Sequence, residues 1–235
     1  MLTIFTIPKA FNGHIDIIQR NAIKSWTLLE PKCQVILAGD DEGTDLAARD
    51  LGVEHIAKLT RNEAAFVTSG SAAGLVLTTA ACIAGSDPAK MDRLPHSEGL
   101  KNEIIIHRFQ RNHYDINIRQ AGAQLVEIGG HRTTHPWELE EAIGERTAGI
   151  VYFPGRYVGP NILPLERVIE TAKARGVPVI VDAAAQMPPS DNFWHYTEMG
   201  ADLAIFSGGK SLAGPQNTGL ILGRWEARAT PSGSP

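Results

Sequence analysis

The sequence predicts an α/β protein: a seven-stranded, mostly parallel sheet with helices on both faces, preceded by a small β-α-β segment. Three observations carry this. From Glu63 onward, short apolar runs alternate with stretches of helical periodicity, the pattern of strands joined by crossover helices. Before that point the chain reads strand, helix, strand and then changes character. The connection between the last two apolar runs, 207–217, is too short for a helical crossover, so the final strand runs antiparallel to its neighbour.

In the opening segment, Leu2–Ile7 reads as a strand and Ile15–Leu29 as a helix with Ile15, Ile18, Ala22, Ile23, Trp26 and Leu29 on one face. Gln34–Ala38 is a second strand, Thr44–Leu51 a short helix closed by Gly52, and Val53–Ile56 a third strand. The turn Gly39-Asp40-Asp41-Glu42-Gly43 puts carboxylates at the end of a parallel strand, where α/β sheets hold ligands. They suit a ribose or a divalent metal. They equally suit a helix N-terminus, which favours acidic residues in its first turn.

In the main body the strands are Ala64–Val67, Glu103–Ile106, Gln124–Ile128, Ala148–Phe153, Pro178–Val181, Asp202–Phe206 and Thr218–Leu222. Helices are expected from Ser71 to about Gly85, over a polar surface stretch within Asp87–Gly99, and over Tyr114–Gly122, Pro136–Ile143 and Pro164–Gly176. Composition narrows the function. Lys and Arg total 22 against 26 Asp and Glu, so no basic field is present to neutralise nucleic-acid phosphates. Cys33 and Cys82 lie in unrelated contexts, which points to a reducing compartment rather than a disulfide scaffold. The first apolar run is interrupted by Pro8 and has no basic stretch followed by a long apolar one. Neither a secretory leader nor a membrane span is expected, and a cytoplasmic location follows.

Three features of the main body bear chemistry. Thr68-Ser69-Gly70-Ser71 enters a helix, and a Ser/Gly loop at a helix N-terminus offers free N–H groups, hydroxyls and a favourable dipole to a phosphate. Asp182 follows the apolar run Val177–Val181, at the carboxyl edge of its strand. A carboxylate buried there needs a cation or a protonated base, although it also reads as the cap of a following helix. Ala184 is small enough to lie flat under a ring. Lys210 is delivered at the end of an apolar strand by Ser207-Gly208-Gly209. It reads either as a Schiff-base lysine kept out of water or as a solvent-facing lysine on a Gly-rich hairpin. The glycines imply that the backbone crowds against something a Cβ would block. Phosphate cup, acidic strand end and lysine together suit pyridoxal 5′-phosphate, with Ser69, Gly70, Ser71 and Ser207 at the phosphate and Asp182 at the pyridine nitrogen.

The words AAFVTSGSAAGLVLTTAACIAG, KNEIIIHRFQRNHYDINIRQAGAQLVEIG, GVPVIVDAAAQMPP and ADLAIFSGGKSLAGPQNTGLILGR carry a family resemblance over 63–223. This stretch resembles the large domain of fold type I pyridoxal-phosphate enzymes of the selenocysteine synthase-like group, which includes seryl-tRNA(Sec) selenium transferases and sugar-amino-acid ammonia-lyases. The resemblance implies that Lys210 is the cofactor lysine, Asp182 the pyridinium partner, and Gly70 and Ser71 phosphate ligands. His113 is a candidate for stacking on the ring, with a plain helix-terminal residue as the other reading. A small amino acid or amino sugar acid is the implied substrate and a homodimer the implied assembly.

Residues 1–62 resemble instead the start of glycosyltransferase-like proteins of the nucleotide-diphospho-sugar transferase fold, on the words IFTIPKAFNGHIDIIQRNAIKSWTLL, VILAGDDEG and LGVEHI. The expected organisation is therefore a β-α-β fragment over 1–62, a cofactor-binding domain over 63–223 and a disordered polar tail over 224–235. The expected function is a pyridoxal-phosphate-dependent lyase or transferase. Two alternatives stand beside it: a sugar-nucleotide-binding protein centred on Asp40 and Asp41, and a non-catalytic chimeric remnant of the two families.

Overall fold

The computed structural model describes residues 3–39, 41–155 and 161–224. The chain divides into two compact units, 1–67 and 68–235. Asp40 and the expected tail from 225 onward lie outside the described residues.

The first unit is built on a three-stranded parallel sheet, β1 (Thr3–Thr6), β2 (Gln34–Leu37) and β3 (Glu54–His55), in that order. Helices α1 (Gly13–Thr27) and α2 (Thr44–Leu51) connect them, and a short α3 (Ile56–Leu59) follows β3. Gly52 closes α2 at φ +65°, the left-handed end that a residue without Cβ adopts at little cost. The predicted face of α1 needs correction: Ile15, Ile18 and Leu29 are exposed, and Ile23 is the helix's buried residue. Packing of Ile23 with Val35, Leu37 and Ala48 decides which side faces the core. Bridges from Arg20 to Asp16 and Asp50 hold that orientation, so part of the apolar stripe faces outward.

The seven-stranded sheet comprises β4 (Ala64–Thr68), β5 (Glu103–His107), β6 (Gln124–Ile128), β7 (Thr147–Tyr152), β8 (Val179–Asp182), β9 (Leu203–Ser207) and β10 (Gly219–Gly223). Its order is β4-β10-β9-β8-β7-β5-β6. Pairings among β5 to β9 are parallel, and β10 runs antiparallel to β9 with Gly219 opposite Ser207. Every residue of β7 and β8 is buried, as strands covered on both faces must be. The two faces separate residue by residue. Ile104, Val151, Ile180 and Ile205 join the core formed with Leu75 and Ile83 of α4 (Ser71–Ala84) and Ile118 of α6 (Asp115–Gln120). Phe206 points the other way and meets Phe193 of α9 (Asn192–Met199) edge-on at 5.2 Å. The remaining helices are α5 (Pro88–Arg93), α7 (Pro136–Ala142) and α8 (Leu165–Ala174), the last burying Val168, Ile169 and Ala172. Helix α9 was not expected from the sequence: its run NFWHYTEM follows two prolines and has no strong apolar period. Among the described residues, no helix is long and apolar enough to cross a membrane.

Candidate active site

The Ser/Gly loop turns at Gly70, whose φ of +105° favours glycine and lets the chain pass from β4 to α4 through only Ser69 and Gly70. Gly70 caps α4, and among the described residues no side chain caps the first-turn N–H groups beginning at Ser71, which are the kind of donors that suit an anion. The Thr68 hydroxyl donates to the Gly70 carbonyl at 2.8 Å and braces the turn. Beneath it passes Gly219, where a Cβ would fall 2.5 Å from Gly70 C and 2.6 Å from Ser71 N. The cup is therefore backed by bare backbone of β10, a requirement that the sequence did not reveal.

Asp182 ends β8 at 8% exposure, and its Oδ1 accepts the Ala184 N–H at 3.0 Å. Burial pushes its carboxyl up to about 6, against the opposing pull of that N–H and of the Lys210 charge. A buried carboxyl lifted in this way is short of a cation, which is the property expected of a partner for a protonated ring nitrogen.

Lys210 lies in the loop between β9 and β10. The loop's glycines do crowd against something, and it is the loop itself. A Cβ on Gly208 would meet Thr218 Oγ1 at 2.0 Å and Thr218 O at 3.1 Å, and one on Gly209 would meet Gln216 Cα at 2.5 Å. The expectation of a lysine kept out of water is corrected: Lys210 is exposed in this single chain, because it stands three residues beyond the end of β9 at Ser207, on the connection to β10. Its Nζ sits 5.8 Å from the centroid of the Tyr114 ring.

A cleft of about 520 Å³ joins these elements, with Ser71, Tyr114, Asp182, Ala184 and Lys210 in its wall. Ser69, Gly70, His113 and Ser207 are not among its lining residues. His113 is exposed, and its neighbour Tyr114 reaches the cleft instead. Two glutamines absent from the sequence expectations shape another side. Gln110 donates to Phe153 O at 3.0 Å and accepts from Phe153 N at 3.1 Å, while Gln186 donates to Pro154 O at 2.8 Å. No sequence signal pairs residue 110 with residue 153. His107, at the end of β5, is fully buried with Nδ1 3.2 Å from Thr134 Oγ1 and, among the described residues, no partner for Nε2, and burial lowers it to about 4. Asp41 and Glu42 line a separate cleft of about 640 Å³ within the first unit.

The donor set fits pyridoxal 5′-phosphate. Uncapped helix N–H groups suit a phosphate, a buried carboxyl short of a cation suits a ring nitrogen, and an accessible amine on the same cleft suits an aldehyde.

Comparison with known proteins agrees. The aminotransferase class-V family model matches residues 113–231. D-glucosaminate-6-phosphate ammonia lyase of Salmonella typhimurium is 32% identical over 176 residues, covering 73% of this chain and 46% of the relative. The 5'-C-glycyluridine monooxygenase-decarboxylase of a Streptomyces species is 34% identical over 176 residues, covering 72% and 43%. L-seryl-tRNA(Sec) selenium transferase of Actinobacillus pleuropneumoniae is 30% identical over 204 residues, covering 78% and 40%. A solved structure of D-glucosaminate-6-phosphate ammonia-lyase superposes with a TM-score of 0.68 at 25% identity, over 97% of this chain and 59% of its own. The chain thus spans less than half the length of these curated relatives. With half of its length under the family model and the matching sheet, this chain belongs to the aminotransferase class-V family of pyridoxal-phosphate fold type I proteins.

Proposed function

We propose that this chain carries the cofactor site of a pyridoxal-phosphate-dependent lyase or transferase acting on an amino acid or amino sugar acid. The observation that carries the reading is convergence: Ser71, Asp182, Ala184 and Lys210, from well-separated segments, line one cleft. The names of relatives, among them an ammonia lyase on an amino sugar acid phosphate and a selenium transferase on a seryl-tRNA, support the reaction classes.

The first turn of α4 would hold the phosphate by Ser71 and its neighbouring N–H groups. Asp182 would face the ring nitrogen and keep it protonated, and the Lys210 Nζ would bond the cofactor's aldehyde carbon. When bound, the cofactor supplies an electron sink for a carbanion at the substrate α-carbon. The Lys210 amine, on the wall of the same cleft, would be the base that moves the proton at that carbon. Purified chain mixed with pyridoxal 5′-phosphate should develop a visible absorbance band that borohydride fixes to Lys210. Lys210→Ala should abolish both, and a wild-type chain without the band would end this reading.

A second reading draws on the first-unit cleft, whose Asp41 and Glu42 side chains suit a sugar-nucleotide ligand. It requires nucleotide-sugar binding that Asp41→Ala weakens, measured by calorimetry.

A further inference from the structure

We propose that Tyr114 is a positioning residue for Lys210, its ring face holding the lysine ammonium at the cleft before any cofactor is bound. The purpose of the contact rests on the reading of Lys210 as the cofactor lysine; the contact itself does not.

Lys210 stands on a surface loop, and a four-carbon side chain there spreads its amine over many rotamers unless something holds it. The amine lies 5.8 Å from the Tyr114 ring centroid, within the range of cation–π attraction. The same amine is close enough to Asp182 for its charge to bear on that carboxyl. It is therefore drawn by a ring face and by a buried carboxyl, and all three groups line the same cleft.

The ring's own position is built rather than incidental. The Tyr114 N–H donates to Asn112 Oδ1 at 2.8 Å. Its carbonyl accepts from the Asn117 backbone N–H at 3.0 Å and from Asn117 Nδ2 at 2.9 Å. The next residue, Asp115, is buried and bridged by both Arg111 and Arg119. The backbone under the ring is thus pinned on either side, while the tyrosine remains 54% exposed. An aromatic ring with that much open surface gains little from core packing, and the Lys210 amine lies over its face. Held this way, Lys210 stays at the cleft and is shielded from stray electrophiles until the cofactor's aldehyde arrives.

The test is competitive acetylation of the cofactor-free full chain by trace acetic anhydride, with Lys210 labelling read by mass spectrometry relative to Lys101 and Lys173. Tyr114→Leu should raise the relative labelling of Lys210 about threefold, the scale of an exposed cation–π contact. Tyr114→Phe, which keeps the ring, should label as wild type does, and His113→Ala should too. Tyr114→Gln, also without a ring, must behave as Tyr114→Leu does, which guards against a folding defect in either variant. Equal labelling of wild type and both ringless variants would overturn the proposal, as would Tyr114→Phe labelling as fast as Tyr114→Leu. A wild type that forms no visible band with pyridoxal 5′-phosphate, yet shows the labelling contrast, would remove the cofactor reading and leave the contact standing. A band with no contrast would remove the role of Tyr114 alone.

Discussion

Replacing Asp182 by Asn tests whether this carboxyl is built to await a cation. At 8% exposure it is lifted from 3.8 to about 6, chiefly by burial. The unfolded chain ionises Asp182 near 3.8 and the folded chain near 6, so folding holds the proton that the unfolded chain releases. Stability therefore falls as the pH climbs through that window, and the whole loss is in place above the folded value. Linkage converts the rise into about 3 kcal/mol. The asparagine amide keeps an oxygen for the Ala184 N–H and has no charge to desolvate. In the cofactor-free chain, Asp182→Asn should therefore gain up to about 3 kcal/mol above the window, at pH 7.5, and almost nothing below about pH 4. Urea unfolding at both pH values measures this. With pyridoxal 5′-phosphate the sign reverses, because the wild-type carboxylate then has its partner. A lost charge-assisted hydrogen bond of about 1.5–3 kcal/mol predicts cofactor binding weaker by roughly tenfold to a hundredfold. A destabilised variant at pH 7.5, a gain of equal size at both pH values, or unchanged cofactor affinity would each refute the argument.

Two further outcomes follow from the same geometry. Gly219→Ala should destabilise the chain by about 1–3 kcal/mol, because its Cβ meets backbone that cannot swing aside. It should also weaken cofactor binding, since the displaced atoms belong to the turn proposed to hold the phosphate; a urea midpoint and a cofactor titration check both effects. His107 is held neutral by burial down to about 4, so the unfolded chain takes up its proton first and stability drains away as the pH falls from 6.5. His107→Leu should shrink that acid loss by about 3 kcal/mol, read as the difference between unfolding free energies at pH 7 and pH 4.

The fold was legible because the strands of the larger sheet are nearly uninterrupted apolar runs, whose order along the chain is their signature. Boundaries such as Thr44–Leu51 and Gln124–Ile128 coincide with the expected ones. The places of Asp182 and the Ser/Gly loop at strand ends were legible for a related reason, since each stands where such a run stops. What the sequence hid was tertiary. The outward turn of Ile15 and Ile18 depends on which side of α1 meets Val35 and Leu37, and helical periodicity does not encode that choice. The sequence reading named His113 at this place, whereas Tyr114, on the turn set by Asn112, is the residue that lines the cleft. The glycines before Lys210 were read as crowding against something that a Cβ would block, but that this is Thr218 and Gln216 of the same loop was not legible in the sequence.

Strand order explains why these groups meet at all. The cup follows β4, Lys210 lies between β9 and β10, and Asp182 ends β8, and these strands are consecutive in the sheet as β4-β10-β9-β8. Because β10 is antiparallel, its first residue, Gly219, lies beside Ser207 at the carboxyl end of β9. The same glycine packs against Gly70 and Ser71, which places the carboxyl end of β4 at that edge as well. A parallel β10 would have carried its start, and with it the backing of the cup, to the opposite edge of the sheet. Because β8 and β9 are parallel, Asp182 and the chain leading to Lys210 leave the sheet at one edge, and the reversal of β10 brings Gly219, with the Ser/Gly turn packed on it, to that same edge. A crossover helix inserted between residues 207 and 218 would carry Gly219, the backing of the Ser/Gly turn, away from that edge while leaving Asp182 and the end of β9 side by side.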